Sequence, residues 1–527
     1  HWYRISETTS MTRVAFALFA LIGGFFFEVP ADNQATGIVF HDLNADGVRS
    51  QNEPGLPGIR VSNGADVATT DKNGRWTLPV PGDCEFFVLK PSDWAVPVDD
   101  LKLPRFYYAH RPNGSRKSKY KGVAPTGSLP RSINFPLRHK KEPRDFEAIF
   151  FGDPQPRNLQ DVLFLDRDVV EPLVGSDAAF GVTLGDIVFD NLNIFGPIST
   201  SISRIGIPWY QVVGNHDLNT DTPEDALSNE TYVRHFGPPN YSFDYGGVHF
   251  LTIDDVYWEW IDDPKNPGKK RGSYQALLTD KVLSFCKNDL AGISSDQLVV
   301  VMMHIPLGEI SNRESLFRLL EPFEKSFSIS GHTHTLFQDE FQQEDGWKGK
   351  KPHLHIVNGA TCGSWWTGKP ADNGVPFTTM RDGAPNGWSE IRFFADQGEQ
   401  TWEYDYIGAG HTKGESMTAT ILPQEDGSQL FNVNFWAGGK RSLVELQLWD
   451  QSWIQMKKVV KLDPHFVQIR AQDDAERDKA EHDKKWRRLS KAAPSRHLWQ
   501  CRLPKEVKAL QVRATDRYGR THFLDLP

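Results

Sequence analysis

Cysteine is scarce: Cys84, Cys286, Cys362 and Cys501 are the only four in 527 residues. They stand far apart and form no C-x-x-C pair, which removes zinc knuckles and thiol redox motifs from consideration. In an exported chain they would allow one or two disulfides, with a pairing that spacing does not decide. A basic excess is lacking too. Lys and Arg total 59 against 68 Asp and Glu, for a net charge of -9. Nothing therefore favours nucleic acid as the main partner, because such binding rests on clustered cations. No apolar run beyond residue 31 approaches the roughly 20 residues that a bilayer span requires. Internal repeats and low-complexity tracts are absent as well.

What is present is an ordinary folded composition, 39% hydrophobic and 24% charged, with an unusual weight of aromatics at 12%. That weight suits β-sandwich cores or surfaces that meet rings. At the N-terminus, Met11-Thr12-Arg13 is a short basic start, Val14 to Phe27 is apolar around Gly23-Gly24, and Val29-Pro30-Ala31 offers small residues for cleavage. Residues 1–31 read as a signal peptide, with residues 1–10 an upstream extension. The competing reading is a membrane anchor, for which the run is short. No cysteine follows the cleavage site to carry a lipid. The expected location is secreted or periplasmic.

Three modules follow. Residues 32–142 carry short strand-like runs such as Gly37–Phe40, Ile59–Ser62 and Arg75–Leu78, separated by Pro57-Gly58, Asn63-Gly64, Asn73-Gly74 and Pro81-Gly82. Such spacing indicates an Ig-like β-sandwich. Residues 110–143, rich in Pro, Gly, Lys and Arg, read as a long loop and then a linker. Residues 143–358 change character. Apolar runs at Phe146–Phe151, Ala179–Leu184, Trp209–Val213, Val248–Ile253, Leu298–Met303, Phe327–Ser330 and His355–Val357 predict strands buried on both faces. Leu159–Val174 and Tyr274–Leu290 read as helices between them. Residues 359–527 return to β patterning, with Gln472–Ser490 a charged, solvated helix.

The middle module places oxygen and imidazole donors at strand ends. Asp153 and Gln155 follow the first strand, Asp186 the second, Asn215 and His216 the third, His304 the Leu298–Met303 run, and His332 and His334 the Phe327–Ser330 run. Loops at the carboxyl ends of strands are where an α/β sheet gathers a site. Asp153 to Asp186 is 33 residues and Asp186 to Asn215 is 29, each the length of one strand–helix–strand unit. One such residue at a strand end is ordinary surface chemistry, but five groups in register with five strands are not.

Those groups read Gly152-Asp153-Pro154-Gln155, Gly185-Asp186-Ile187-Val188, Gly214-Asn215-His216-Asp217, Met303-His304 and Gly331-His332-Thr333-His334. The order resembles the calcineurin-like metallophosphoesterase superfamily. The resemblance implies a four-layer αββα sandwich holding two divalent ions (Mn, Mg, Fe or Zn) and a metal-bound hydroxide as nucleophile. Asp153, Gln155, Asp186 and His334 would hold one ion. Asp186, Asn215, His304 and His332 would hold the other, with Asp186 as the bridge. His216 would act at the leaving oxygen, and Asp217 would orient its ring. Gly363-Ser364-Trp365-Trp366 and Asp382-Gly383-Ala384-Pro385-Asn386-Gly387 are similar to a bacterial three-domain subfamily with β-sandwich modules on both sides. Trp365 and Trp366 either stack on a substrate ring or pack the seam between modules.

Two departures from the superfamily pattern matter. Gln155 replaces the usual His of the first block, and its harder amide oxygen favours Mg²⁺ or Mn²⁺ over softer ions. Phe189 stands where purple acid phosphatases carry the metal-binding Tyr, which excludes an iron–tyrosinate site.

A second metal candidate lies in the first module. Asp42, Asn44, Asp46, Gly47 and Glu53 match D-x-[DN]-x-[DN]-G-x5-E, the spacing of a calcium loop. The plain reading is a polar hairpin whose Asp and Asn serve turns.

The sequence thus points to an exported phosphomonoesterase or phosphodiesterase acting on a small-molecule or cell-envelope phosphoester. Phospholipid head groups, nucleotides, teichoic-type polymers and sugar phosphates all remain open, as does the oligomeric state. The competing readings are a nuclease of the same superfamily and a cell-surface binding protein with a weakened catalytic module.

Overall fold

A computed structural model describes residues 33–482 and 485–526. The expected signal peptide lies outside them. Among the described residues no helix is long and apolar enough to cross a membrane.

The first module is two four-stranded sheets. Arg75–Pro79, Gln34–His41, Phe135–His139 and Trp94–Ala95 form one; Val67–Thr69, Arg60–Ser62, Cys84–Leu89 and Tyr107–His110 form the other. Trp76 lies between Phe86 and Phe135, with ring centroids 5.7 and 5.9 Å away. The stretch read as loop and linker therefore contains a strand. Phe135–His139 pairs in parallel with Val39–His41, because Phe135 and Leu137 are apolar enough to fill the core. This module is fused to the next one. Phe87 meets Phe285 edge-on at 5.7 Å, and the Arg111 guanidinium reaches Glu230 from inside the protein.

Two sheets form the middle of the molecule. The first runs Trp209–Val212, Phe180–Leu184, Phe146–Phe151, Gly387–Asp396, Glu399–Gly408. The second runs Tyr241–Tyr245, Val248–Thr252, Leu298–Met302, Ser326–Ser330, His353–Val357, Phe337–Phe341. They pack face to face through rings: Phe180 meets Phe250 at 5.1 Å and Phe243 at 5.2 Å. Helical segments between Leu159 and Leu173, and Phe195–Ser203, accompany the first sheet, while Asp280–Leu290 and Arg313–Leu320 pack together beside the second. This is the mixed α/β fold expected. The first sheet takes two strands, Gly387–Asp396 and Glu399–Gly408, from beyond residue 358.

The expected helix Tyr274–Leu290 begins only at Asp280, where Thr279 caps it by accepting the Val282 N–H. Tyr274 instead belongs to a hairpin of Val256–Asp262 and Lys270–Ala276. The third module is two four-stranded sheets with their own apolar core, including Phe431, Val433, Phe435, Leu446 and Trp499. The expected charged helix is Pro464–Lys479, shifted toward the N-terminus because Asp463 caps it and Pro464 suits its first turn. Cys84, Cys286 and Cys362 are buried, Cys501 is half-buried, and all four are free thiols. The one or two disulfides that export would allow are therefore absent.

Candidate metal centre

The donors of both sheets meet at one end of the double sheet. Backbone strain marks the place. Asp153, Gln155, Asp186, His332 and His334 all have positive φ, between 41° and 78°, as do Asp190, Trp365 and Trp366. Each such non-glycine residue costs about 1–3 kcal/mol and persists only where its surroundings hold it. The glycines of the motifs have a steric reason. A side chain at Gly185 would collide with the His304 ring, one at Gly214 with Asp186, and one at Gly331 with the Asp153 carboxylate.

Ligand atoms of Asp186, His304 and His332 all lie within 4.8 Å of one another, a spacing that suits one ion. His304 is the hub. Its Nε2 stands 3.1 Å from Asn215 Oδ1, 3.2 Å from Asp186 Oδ1 and 3.2 Å from His332 Nδ1. Its Nδ1 donates to the Leu184 carbonyl at 2.8 Å, which fixes the ring and turns Nε2 inward. His334 is held likewise, with Nδ1 donating to the Gly363 carbonyl at 2.7 Å and Trp365 stacked on its face at 4.0 Å. His334 Nε2 then stands 3.8 Å from Asp153 Oδ1. Both Asp153 oxygens accept the His332 N–H, at 3.1 and 2.8 Å.

The electrostatics fit cations. Burial, with the charge of His304, pushes His332 down to about 4, and burial pushes His334 down to about 3, so both imidazoles are neutral. Burial pulls His304 down as well, but Asp186 and Asp153 win and raise it to about 10. Burial alone would raise Asp186; the positive charge of His304 and His216 holds it well below the usual carboxylate range. Burial raises Asp153 to about 7. Two buried carboxylates, an amide oxygen and three imidazoles form a donor set for borderline divalent ions.

Gln155 sits in the cluster with its amide turned. Nε2 donates to Asp186 Oδ2 at 2.7 Å, and Oε1 lies 3.9 Å from Cys362 Sγ. Ligation requires the flipped amide. His216 lies beside the cluster. Its N–H donates to Asp186 Oδ1 at 2.9 Å, its ring stacks on Phe189 at 4.3 Å, and its Nδ1 meets Asp190 Oδ1 at 2.7 Å. Burial lowers its pKa, but Asp186 and Asp190 outweigh burial and raise it to about 9. The carboxylate at the ring is thus Asp190, not Asp217. Asp217 is fully buried and accepts the N–H groups of Ile187, Val188 and Gly214, so it ties two site loops together.

Sequence reading also missed Arg157 and Tyr274. The Arg157 guanidinium lies 4.4 Å over the Phe189 ring and donates to the Trp365 carbonyl at 2.7 Å. Tyr274 stands edge-on to His332 at 6.1 Å. Neither has a motif; only the distant loops they touch reveal them. Of the paired tryptophans, Trp366 packs inside the protein, with Nε1 donating to the Pro154 carbonyl at 2.8 Å, while Trp365 stacks on His334.

Comparison with known proteins gives family matches along most of the chain. Residues 43–122 match the family described as N terminal of Calcineurin-like phosphoesterase, 146–336 match Calcineurin-like phosphoesterase, and 355–522 match C terminal of Calcineurin-like phosphoesterase. No curated protein matches. Similar solved structures include a purple acid phosphatase from yellow lupin (Lupinus luteus) seeds, 13% identical over 78% of this chain and 68% of that one, at a TM-score of 0.31. Another is Vacuolar Protein Sorting 29 from Cryptosporidium parvum, 12% identical over 50% of this chain and 98% of that one, at 0.20. At those scores neither adds to the family matches. The chain belongs to the calcineurin-like phosphoesterases, in the form flanked by its own N- and C-terminal companion domains, and is a metal-dependent phosphoric ester hydrolase.

Proposed function

We propose that this protein is an exported phosphoesterase with a two-metal centre bridged by Asp186, acting on phosphomono- or phosphodiesters of small molecules or the cell envelope. One observation carries the reading: a compact Asp186–His304–His332 cluster stands directly beside an imidazole, His216, that is gripped by Asp190. Asp186, Asn215, His304 and His332 would hold one ion, and Asp153, Asp186, His334 and a flipped Gln155 the other. When bound, such ions supply Lewis acidity toward phosphoryl oxygens and lower the pKa of water.

The remaining chemistry belongs to the chain. His216, protonated and one residue from Asn215, donates a proton to the leaving oxygen. Asp190 keeps that ring oriented and charged. Phe189 supports the opposite face and limits its rotation. Arg157 offers a cation beside the same ring for the phosphoryl group. The export part of the proposal rests on the reading of residues 1–31 as a signal peptide. The test is hydrolysis of an aryl phosphomonoester and a bis-aryl phosphodiester by the mature protein with Mn²⁺, Mg²⁺, Zn²⁺ or Ca²⁺. Turnover that depends on one of the first three and disappears with a chelator supports the reading. No turnover of either ester with any ion sinks it and favours a binding protein.

A further inference from the structure

The loop Asp42–Glu53 plays no part in the centre above. It leaves the strand Gln34–His41 and is anchored at both ends, His41 N–H on the Pro54 carbonyl and Asp42 N–H on the Leu137 carbonyl, each at 2.9 Å. Asp42 is only 3% exposed. Its Oδ2 accepts the Gly47 N–H at 3.1 Å, so the carboxylate points into the loop that it opens. Its Oδ1 is buried and has no hydrogen-bond partner. A buried carboxylate oxygen without a partner is costly, and it calls for a cation or a donor.

The other oxygens stand around it. Glu53, 1% exposed, closes the loop by accepting the Leu43 N–H at 2.9 Å and the Ser50 N–H at 2.8 Å. Asn44 and Asp46 are exposed between these ends, with Asn44 Nδ2 donating to Asp46 Oδ2 at 2.8 Å. The ion pairs of this module use Arg60, Lys90, Arg105 and Arg111, and among the described residues none reaches the loop. Three carboxylates thus share twelve residues with a single cationic side chain, the exposed Arg49.

We propose that Asp42, Asn44, Asp46 and Glu53 bind one Ca²⁺ that is separate from the catalytic ions. The donors are all hard oxygens at positions one, three, five and twelve, with Gly47 in the left-handed region at position six (φ 72°). Imidazole and thiolate are missing, which disfavours zinc. The loop is open: its three carboxylates do not already stand at ligand spacing, as Asp186, His304 and His332 do. Asn44 and Asp46 oxygens that now accept N–H groups within the loop must turn toward the ion, and the affinity expected is the weak range of about 10⁻⁴–10⁻³ M found in extracellular modules. A flexible site of this kind also favours Ca²⁺ over the smaller, stricter Mg²⁺. Calcium would fasten the end of Gln34–His41 to the turn at Glu53 and so stiffen the module fused to the catalytic sheets.

The experiment uses the full mature chain with saturating Mn²⁺, and titrates calcium chloride or magnesium chloride while thermal unfolding is followed. Wild type should gain thermal stability with calcium at sub-millimolar to millimolar concentration, and much less with magnesium. Asp46→Asn changes an exposed side chain and should leave the fold and turnover intact, yet move the calcium midpoint up by about tenfold or more. Glu53→Gln should move it in the same direction. If calcium does not raise the unfolding temperature of wild type, the proposal is overturned. If it raises wild type and Asp46→Asn at the same midpoint, the ion binds elsewhere and the proposal is equally overturned.

Discussion

The two halves of the catalytic cluster differ in how far they are assembled. Asp186, Asn215, His304 and His332 meet through contacts of 3.1–3.2 Å around one imidazole nitrogen. Asp153 and His334 stand 3.8 Å apart, and Gln155 turns its amide nitrogen toward Asp186. The tight half joins loops from both sheets directly, with the His304 ring locked by the Leu184 carbonyl and the His332 ring set against it. The looser half leans on the segment after His353–Val357, where Thr361 and Cys362 N–H groups donate to Gly152 and Asp153 carbonyls. On the proposed two-ion reading, the half around His304 is ready-made, whereas the other needs an amide to turn. Two unequal metal affinities are expected, the stronger at His304.

Removing the hub should have the largest effect. His304→Ala takes away the nitrogen that Asn215, Asp186 and His332 share, so metal binding in the tight half and all turnover should be lost. His334→Ala should cost one ion and leave the other. Metal titration of both variants decides the matter: the ion kept by His334→Ala should bind more tightly than any ion kept by His304→Ala, and equal affinities would erase the distinction between the halves. Next comes His216→Ala. Both ions should stay, and turnover should fall by about 10²–10⁴, the usual range for a general acid. Leaving groups of low pKa should suffer less; an equal loss across leaving groups removes His216 from that role.

The two carboxylates near this ring should then separate. Asp190→Asn should keep the fold and lower kcat by about 10–100-fold, as for other partners that orient a functional imidazole. Asp217→Asn disturbs a buried acceptor of three N–H groups and should instead lower stability by about 1–3 kcal/mol. Unfolding temperature and kcat measured on both variants would reverse the assignment if Asp217→Asn proved thermally neutral and slow. The smallest effect is expected from Gln155→His. Imidazole is softer than an amide, so preference should move toward Zn²⁺ or Fe²⁺ and away from Mg²⁺. An unchanged preference would mean that residue 155 does not reach the metal in either form.

Much of this was legible in the sequence, and the exceptions have physical causes. Phe146–Phe151 and Leu298–Met302 read cleanly because both faces are buried and the runs are almost wholly apolar. The donors at their ends were legible because the loops are short. Lys270–Ala276 was not, since it is a polar strand outside the core, held mainly by its hairpin partner. Gly387–Asp396 lay hidden because its partner, Phe146–Phe151, is more than two hundred residues away. The resemblance implied Asp217, the motif residue after His216, as the group that orients the ring. In the fold, the loop after Phe180–Leu184 curls back so that Asp190 N–H donates to the His216 carbonyl at 3.2 Å, and its carboxylate reaches the ring. Contacts of that kind depend on loop geometry, which neighbouring residue types do not encode.

The bridging role of Asp186 is the point on which the two-metal reading turns, and metal content tests it most directly. Wild type and Asp186→Asn should be loaded with Mn²⁺, freed of excess ion, and assayed for bound metal and for turnover of the same aryl ester. The expected result is two ions per chain in wild type, with both ions and turnover lost in the variant. A variant that keeps both ions and wild-type turnover would contradict the bridge.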